Sequence, residues 1–228
     1  MKFLLTNDDG FGSEGITALE GIARQLGEVA IIAPDNHLSG CSHQITDKRP
    51  IRLTERGPQQ WSIDAFPADC VRLAHRVLNI PVDWVLSGVN HGGNLGMDLF
   101  LSGTVAAVRE AVLLGYKAIA FSQYRRNRHI PCSWDWTQRQ VGRVLPFLLS
   151  QPLESGMFWN VNFPHPDEEH DPDWLFVLPE RQSLQLKYDV TGDEIMYTGH
   201  YQERPRIAGS DVDVCFGGRI AISKVSVW

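Results

Sequence analysis

Five short apolar runs constrain this chain more than any other feature: KFLLT at Lys2–Thr6, VAIIA at Val29–Ala33, WVL at Trp84–Leu86, AIAF at Ala118–Phe121 and FWNVNF at Phe158–Phe163. They are nearly continuous rather than alternating, the pattern of strands covered on both faces. Helical spacing fills the gaps between them. Ile16, Leu19, Ile22, Ala23 and Leu26 form one apolar stripe closed by Gly27, and Pro67 with Asp69 opens a helix reaching about Leu78. Thr104–Leu114 reads as a third helix, and Ser133 to Ser150 as a fourth, kinked at Pro146. Ile45–Thr54 and Trp61–Asp64 add extended segments. The alternation predicts an α/β fold, a Rossmann-like and mostly parallel sheet with helices on both faces. From Pro164 the texture changes to acids and prolines (PHPDEEHDPD) and then to short alternating segments. There Val212–Phe216, Gly217-Gly218 and Arg219–Val225 read as a C-terminal β-hairpin. The expected division is a core at 1–165 and a β-rich appendage at 166–228.

Bulk properties exclude several functions. With 228 residues, the chain is long enough to bury a substantial core. The net charge of −6 argues against nucleic acid as the main target, because phosphate-backbone binding needs a clustered basic surface. The one basic run, Arg125-Arg126-Asn127-Arg128-His129, reads as a solvated loop. Cys41, Cys70, Cys132 and Cys215 lie far apart with no C-x-x-C spacing, so no zinc site is suggested. MKFLL is too short for a signal peptide and runs straight into acids, and no apolar run approaches membrane-spanning length. The expected address is the cytoplasm, with reduced cysteines.

Chemistry concentrates in three loops that should gather beyond the carboxyl ends of the strands, where open parallel sheets bind ligands. They are TNDDG, APDNHLSGCS and SGVNHGGNLG. Together they supply Asp8, Asp9, Ser39 and Asn90, all oxygen donors, the set that a hard divalent cation such as Mg²⁺ or Mn²⁺ selects. Adjacent aspartates on a straight strand point to opposite faces. They converge only where the chain turns, and Gly10 can take the positive φ such a turn needs. A plain Asp-Gly turn with polar tips is the other reading. Gly10, Gly12 and Gly15 also spell G-x-G-x-x-G, with Asp35 at the spacing of a dinucleotide site. Yet Asp8 and Asp9 would oppose a pyrophosphate there. Two unit charges about 4 Å apart interact by roughly 4 kcal/mol at an effective dielectric near 20. A helix terminus returns at most about 2 kcal/mol. A second anion cradle lies in Gly92, Gly93, Asn94 and Gly96, followed by Ser102-Gly103-Thr104 at a helix start. Ordinary N-capping by Ser102 or Thr104 accounts for the same residues.

Taken in order, LLTNDDG, APD…SG…S, PADCV, SGVN-x-G-x-N-x-G, SGTV-x-A and NVNFP resemble the SurE survival-protein family, metal-dependent 5′/3′-nucleotidases acting on nucleoside monophosphates. The resemblance covers roughly Met1 to Pro164, with the closing segment matching more weakly. It implies a Rossmann-like metal- and phosphate-binding core and a hairpin appendage exchanged between subunits of a homodimer or homotetramer. By position, Asp8, Asp9, Ser39 and Asn90 match the family's ligands for one divalent metal ion per subunit. Gly40, Asn94, Ser102, Gly103 and Thr104 fall where phosphate or substrate contacts are expected. Leu38, His91 and Gly93 depart from the family pattern, and the sequence ends at Trp228 without the extension many members carry. His91 could protonate a leaving oxygen or contact phosphate, but His91 and His43 read first as ordinary surface or hydrogen-bonded histidines.

The implied reaction is phosphomonoester hydrolysis, with Asp8 or Asp9 orienting or deprotonating the attacking water. Two rivals stand beside it. One is a nicotinamide or flavin oxidoreductase built on GFGSEG, and the other a non-catalytic nucleotide- or phosphate-binding module.

Overall fold

The computed structural model describes residues 1–126, 133–166 and 170–228. Residues 127–129 of the basic run and Cys132 lie outside that set. The chain opens with β1 (Lys2–Thr6), α1 (Glu14–Leu26) and β2 (Glu28–Pro34). β3 (Leu53–Gly57), β4 (Gln60–Ile63), α2 (Pro67–Arg76) and β5 (Trp84–Asn90) follow. Next come α3 (Asp98–Leu101), α4 (Gly103–Leu113), β6 (Lys117–Gln123), α5 (Trp134–Ser150) and β7 (Met157–Phe163). The remainder supplies β8 (Trp174–Phe176), β9 (Tyr188–Thr191), β10 (Glu194–Tyr197), α6 (Asp211–Phe216) and β11 (Ile220–Ser226).

The main sheet has nine strands in the order β3-β4-β2-β1-β5-β6-β7-β11-β8. β4, β2, β1, β5, β6 and β7 run parallel, and β1, β2 and β6 carry the near-continuous apolar runs of strands covered on both faces. Each buried strand divides its side chains between two cores. Phe3 and Leu5 join Ile16, Leu19, Trp136 and Leu145 on the α1/α5 face. Leu4 joins Val71, Val105 and Val108 on the α2/α4 face. From β1 the chain winds outward through β2 to β4, then returns to β5 on the other side of β1. The order therefore reverses at β1/β5, and a crevice opens beyond their carboxyl ends. That is where Thr6-Asn7-Asp8-Asp9 and Asn90 emerge. β5 continues past Leu86 to Asn90, and its pairing with β6 resumes at Asn90↔Ser122 after an irregularity following Ser87. The glycine-containing stretch that reads as loop is thus partly strand.

The tail departs from its sequence pattern in one respect. The closing hairpin expected at Val212–Val225 is instead the helix α6 and the strand β11, which lies antiparallel to β7 inside the main sheet. Val212-Asp213-Val214 mimics strand alternation. However, Ser210 accepts a hydrogen bond from Asp213 N, and Asp211 and Asp213 occupy the first turn, which are helix-start chemistry. Val212, Val214 and Cys215 bury themselves against Leu95 and Tyr124. A separate antiparallel hairpin lies earlier, as β9 and β10, paired from Tyr188↔Tyr197 to Thr191↔Glu194. No helix among the described residues is long and apolar enough to cross a membrane.

Candidate active site

The turn after β1 is stitched by a residue that carries no obvious functional signal. Asn7 Nδ2 donates to the Gly10 carbonyl at 2.9 Å and to Ser13 Oγ at 2.8 Å, while Gly10 N donates to Asn7 Oδ1 at 3.2 Å. Gly10 sits at φ +103°, in the left-handed region a side chain disfavours. The chain reverses here, and Asp8 and Asp9 leave the strand alternation that would separate them.

Asp8 is 3% exposed and lies against the start of α4. Thr104 Oγ1 donates to Asp8 Oδ1 at 2.5 Å, and the Thr104 backbone N–H also bonds the carboxylate. Contact is so close that a Cβ on Gly103 would sit 2.8 Å from Asp8 Cβ and 2.6 Å from Cys41 Sγ. Asp9 accepts from the His91 backbone N at Oδ2, 3.0 Å, and faces His37 Nδ1 at 3.3 Å through Oδ1. Burial, and then the charge of Asp9, push the Asp8 carboxyl up to about 6. Burial also raises Asp9, although the His91 N–H and His37 pull against it. Burial, and then the charge of Asp8, lift the Cys41 thiol to about 11, so it stays protonated at neutral pH.

The other two loops are tied to these acids by backbone bonds. Leu38 N donates to the Asp8 carbonyl at 2.7 Å, which brings the neighbouring Ser39 and Gly40 to the same rim. His91 N on Asp9 does the same for Asn90, whose side chain is otherwise engaged with the Gly92 carbonyl at 2.8 Å. Asp8 and Asp9 therefore sit at the switch point with the segments carrying Ser39 and Asn90 bonded to their turn. Among the described residues, the ion pairing of the two carboxylates is limited to His37, which is 59% exposed. Two buried acids with hard oxygen neighbours and so little cationic protein around them suit a divalent cation.

The residues expected at phosphate are engaged differently. Ser102 caps α4, accepting from Val105 N at 3.1 Å, and Thr104 is spent on Asp8. Asn94 is buried beneath its loop: Nδ2 donates to Ser122 Oγ at 2.8 Å, and its carbonyl accepts from Asn160 and Asn162. Its side chain holds the loop in place. His91 packs its ring on Trp134 at 4.5 Å between centroids, and burial lowers its pKa. His37 and Asn7 are the site residues sequence reasoning passed over. The only signal for His37 is its place beside the loop's Leu38-Ser39.

The G-x-G-x-x-G reading meets two obstacles. Asp35, which would hold a ribose, is ion-paired with Arg56 at 3.0 Å. Gly15 serves packing instead, since a Cβ there would fall 1.9 Å from the Val89 carbonyl oxygen.

This is an α/β protein with a buried pair of carboxylates at the topological switch point of its sheet, beside a helix N-terminus. Comparison with known proteins makes the assignment specific. The profile described as Survival protein SurE matches residues 3–179. A relative from Synechocystis sp. is 44% identical over 229 residues and covers 100% of both chains. The 5′-nucleotidase SurE of Rhodospirillum rubrum is 40% identical over 245 residues, covering 99% of this chain and 90% of its own. The crystal structure of the SurE protein from Aquifex aeolicus superposes with a TM-score of 0.89 at 28% identity, covering 100% of this chain and 94% of that one. The chain belongs to the SurE family.

Proposed function

We propose that the chain is a divalent-metal-dependent 5′-nucleotidase that hydrolyses nucleoside 5′-monophosphates, and 3′-monophosphates, to nucleoside and phosphate. The relatives named as 5′-nucleotidases support the reaction class. The observation that carries the reading is the buried Asp8–Asp9 pair, with the Ser39 and Asn90 loops sewn onto it by backbone hydrogen bonds. Asp8, Asp9, Ser39 and Asn90 would hold one Mg²⁺ or Mn²⁺. When bound, that ion neutralises phosphate charge and acidifies a water.

The protein residues then divide the work. Asp8, pinned by Thr104, fixes the geometry. Asp9 Oδ1, on the side of the rim toward His37, orients the attacking water and takes its proton. Gly40, Ser102 and the Gly103 backbone at the start of α4 face the phosphate oxygens, where the helix dipole favours negative charge. The water oxygen bonds to phosphorus, the P–O bond to the ribose oxygen breaks, and that oxygen takes a proton from solvent to leave as a hydroxyl while Asp9 releases its proton to solvent. Asn94 acts through the loop it anchors.

The assembly we assign is a homodimer. The β9–β10 hairpin stands out with both faces exposed, and Ile195 and Met196 are 68% and 70% exposed. An isolated two-stranded ribbon is marginal in water, and a second subunit would cover this one. The cytoplasm is the address in keeping with Cys41, Cys70 and Cys215, which are all free.

The deciding experiment is phosphate release from 5′- and 3′-nucleoside monophosphates with Mg²⁺, Mn²⁺ or EDTA. Turnover with metal, its loss in EDTA and its loss in Asp8→Asn are expected. Metal-independent turnover, or full turnover in Asp8→Asn, refutes the assignment.

A further inference from the structure

The second loop grips α4 at a point well beyond the helix start. His43 Nε2 lies 2.9 Å from Glu110 Oε2, and Glu110 Oε1 accepts from Arg72 Nε of α2 at 2.7 Å. Glu110 is 4% exposed, and a carboxylate so buried is costly without such partners. Burial alone would raise its pKa, but the hydrogen bonds from His43 and Arg72 outweigh that and hold it below the ordinary range. The other ring nitrogen of His43 faces Arg109 Nη1 at 3.5 Å, and Arg109 Nη2 is itself anchored on the Leu99 carbonyl at 2.7 Å. A guanidinium only donates and a carboxylate only accepts. The arrangement therefore suits one tautomer, with the proton on Nε2 and the lone pair on Nδ1.

The consequence concerns Ser39. Ser39 and Gly40 are exposed and have little packing of their own, so their position is inherited from the anchors on either side. One anchor is Leu38 N on the Asp8 carbonyl. The other begins at Ser42, which donates through N to the Leu101 carbonyl at 2.9 Å and through Oγ to the Phe100 carbonyl at 2.7 Å. It ends at His43, where a side chain rather than a flexible backbone segment makes the bond. His43 belongs to the Ser39 loop, and Glu110 to the helix whose first turn holds Asp8. Their bond ties the two halves of the oxygen-donor set to one rigid element.

We propose that His43 is a positioning residue whose hydrogen bond to Glu110 holds the Ser39 loop at the place where Ser39, Asp8 and Asp9 share one divalent cation. This rests on the reading of the site given above. Partners of this kind, one step removed from a metal, typically change affinity 10–100-fold when removed.

The test is Mn²⁺ binding to the full metal-free chain without nucleotide, followed by the electron paramagnetic resonance signal of free Mn²⁺. Phosphate release from AMP at saturating Mn²⁺ is measured in parallel. For His43→Ala we expect Mn²⁺ affinity to fall about tenfold, with kcat at saturating metal changed far less. His43→Gln, whose amide N–H can meet the same Glu110 oxygen, should recover most of that affinity, and it guards against misfolding of the alanine variant. Unchanged affinity in His43→Ala overturns the proposal, even if thermal stability drops. So does a fall in kcat without a fall in affinity, or a glutamine variant as weak as alanine. If the wild type binds Mn²⁺ and His43→Ala weakens it, but no nucleotide is hydrolysed, the clamp stands and the nucleotidase reading fails. If the wild type binds Mn²⁺ no better than Asp8→Asn does, both fall.

Discussion

The sharpest consequence of the site is that Asp8 destabilises the metal-free protein, so Asp8→Asn should stabilise it in a pH-dependent way. Its carboxyl has an ordinary value of 3.8 in the unfolded chain and about 6 in the folded one, raised by burial first and by Asp9 second. Below the unfolded value the group is protonated in both states and costs nothing. As pH climbs from 3.8 to about 6 the unfolded chain ionises while the folded chain still holds the proton, so stability falls across that window. Above it the full difference persists. At 1.36 kcal/mol per pH unit, that amounts to about 3 kcal/mol. Asparagine keeps an oxygen to accept from Thr104 but carries no charge.

The stability of Asp8→Asn relative to wild type should therefore rise by about 2.5 kcal/mol between pH 4 and pH 7, out of about 3 kcal/mol in all. In a chain of this size that corresponds to roughly 6–12 °C in thermal midpoint. Urea unfolding in EDTA, followed by tryptophan fluorescence, measures it. Comparing variant with wild type cancels the titrating groups that do not interact with Asp8; Asp9, coupled to it, titrates with it. Adding Mn²⁺ should reverse the order, because the cation stabilises only the chain that binds it. A difference that stays flat from pH 4 to pH 7 would refute the reasoning, since Asp8 would then have no buried charge to relieve.

Other outcomes follow from the same geometry. Gly103→Ala forces a Cβ to within 2.8 Å of Asp8 Cβ and should cost about 1–3 kcal/mol of stability together with most of the turnover, checked by urea unfolding and phosphate release. Thr104→Val removes the Oγ1 donor from a buried carboxylate and should cost about 1.5–3 kcal/mol in the metal-free protein at pH 8. Urea unfolding at that pH measures it, and an unchanged stability would count against the bond. Replacing both Ile195 and Met196 with glutamate should convert a dimer to a monomer by light scattering and leave the core's unfolding transition in place. A retained dimer mass would show that the hairpin is not the interface.

The central sheet was legible because β1, β2 and β6 are apolar on both faces, which leaves little room for another period. The Asp8–Asp9 turn was legible for a related reason: two adjacent acids before a glycine have no comfortable place in a plain strand. What escaped depends on partners distant in sequence. Thr104 reads as a helix start, and only the fold brings it to Asp8 across 96 positions. Asn94 reads as a free amide until Ser122, Asn160 and Asn162 close around it. The stretch from Val212 to Val214 satisfied a strand period locally, but a cap at Ser210 and burial against Leu95 and Tyr124 settled it as helix. His37 gave no pattern to read, because its only role in the site is an approach to Asp9 from the rim.

The most direct test of the account is crystallographic. Crystals grown with Mn²⁺ and measured at the manganese absorption edge should show one anomalous peak per chain, between the carboxylates of Asp8 and Asp9 and within reach of Ser39 and Asn90. Manganese found elsewhere on the chain, or no peak there with the two carboxylates turned apart, would contradict it.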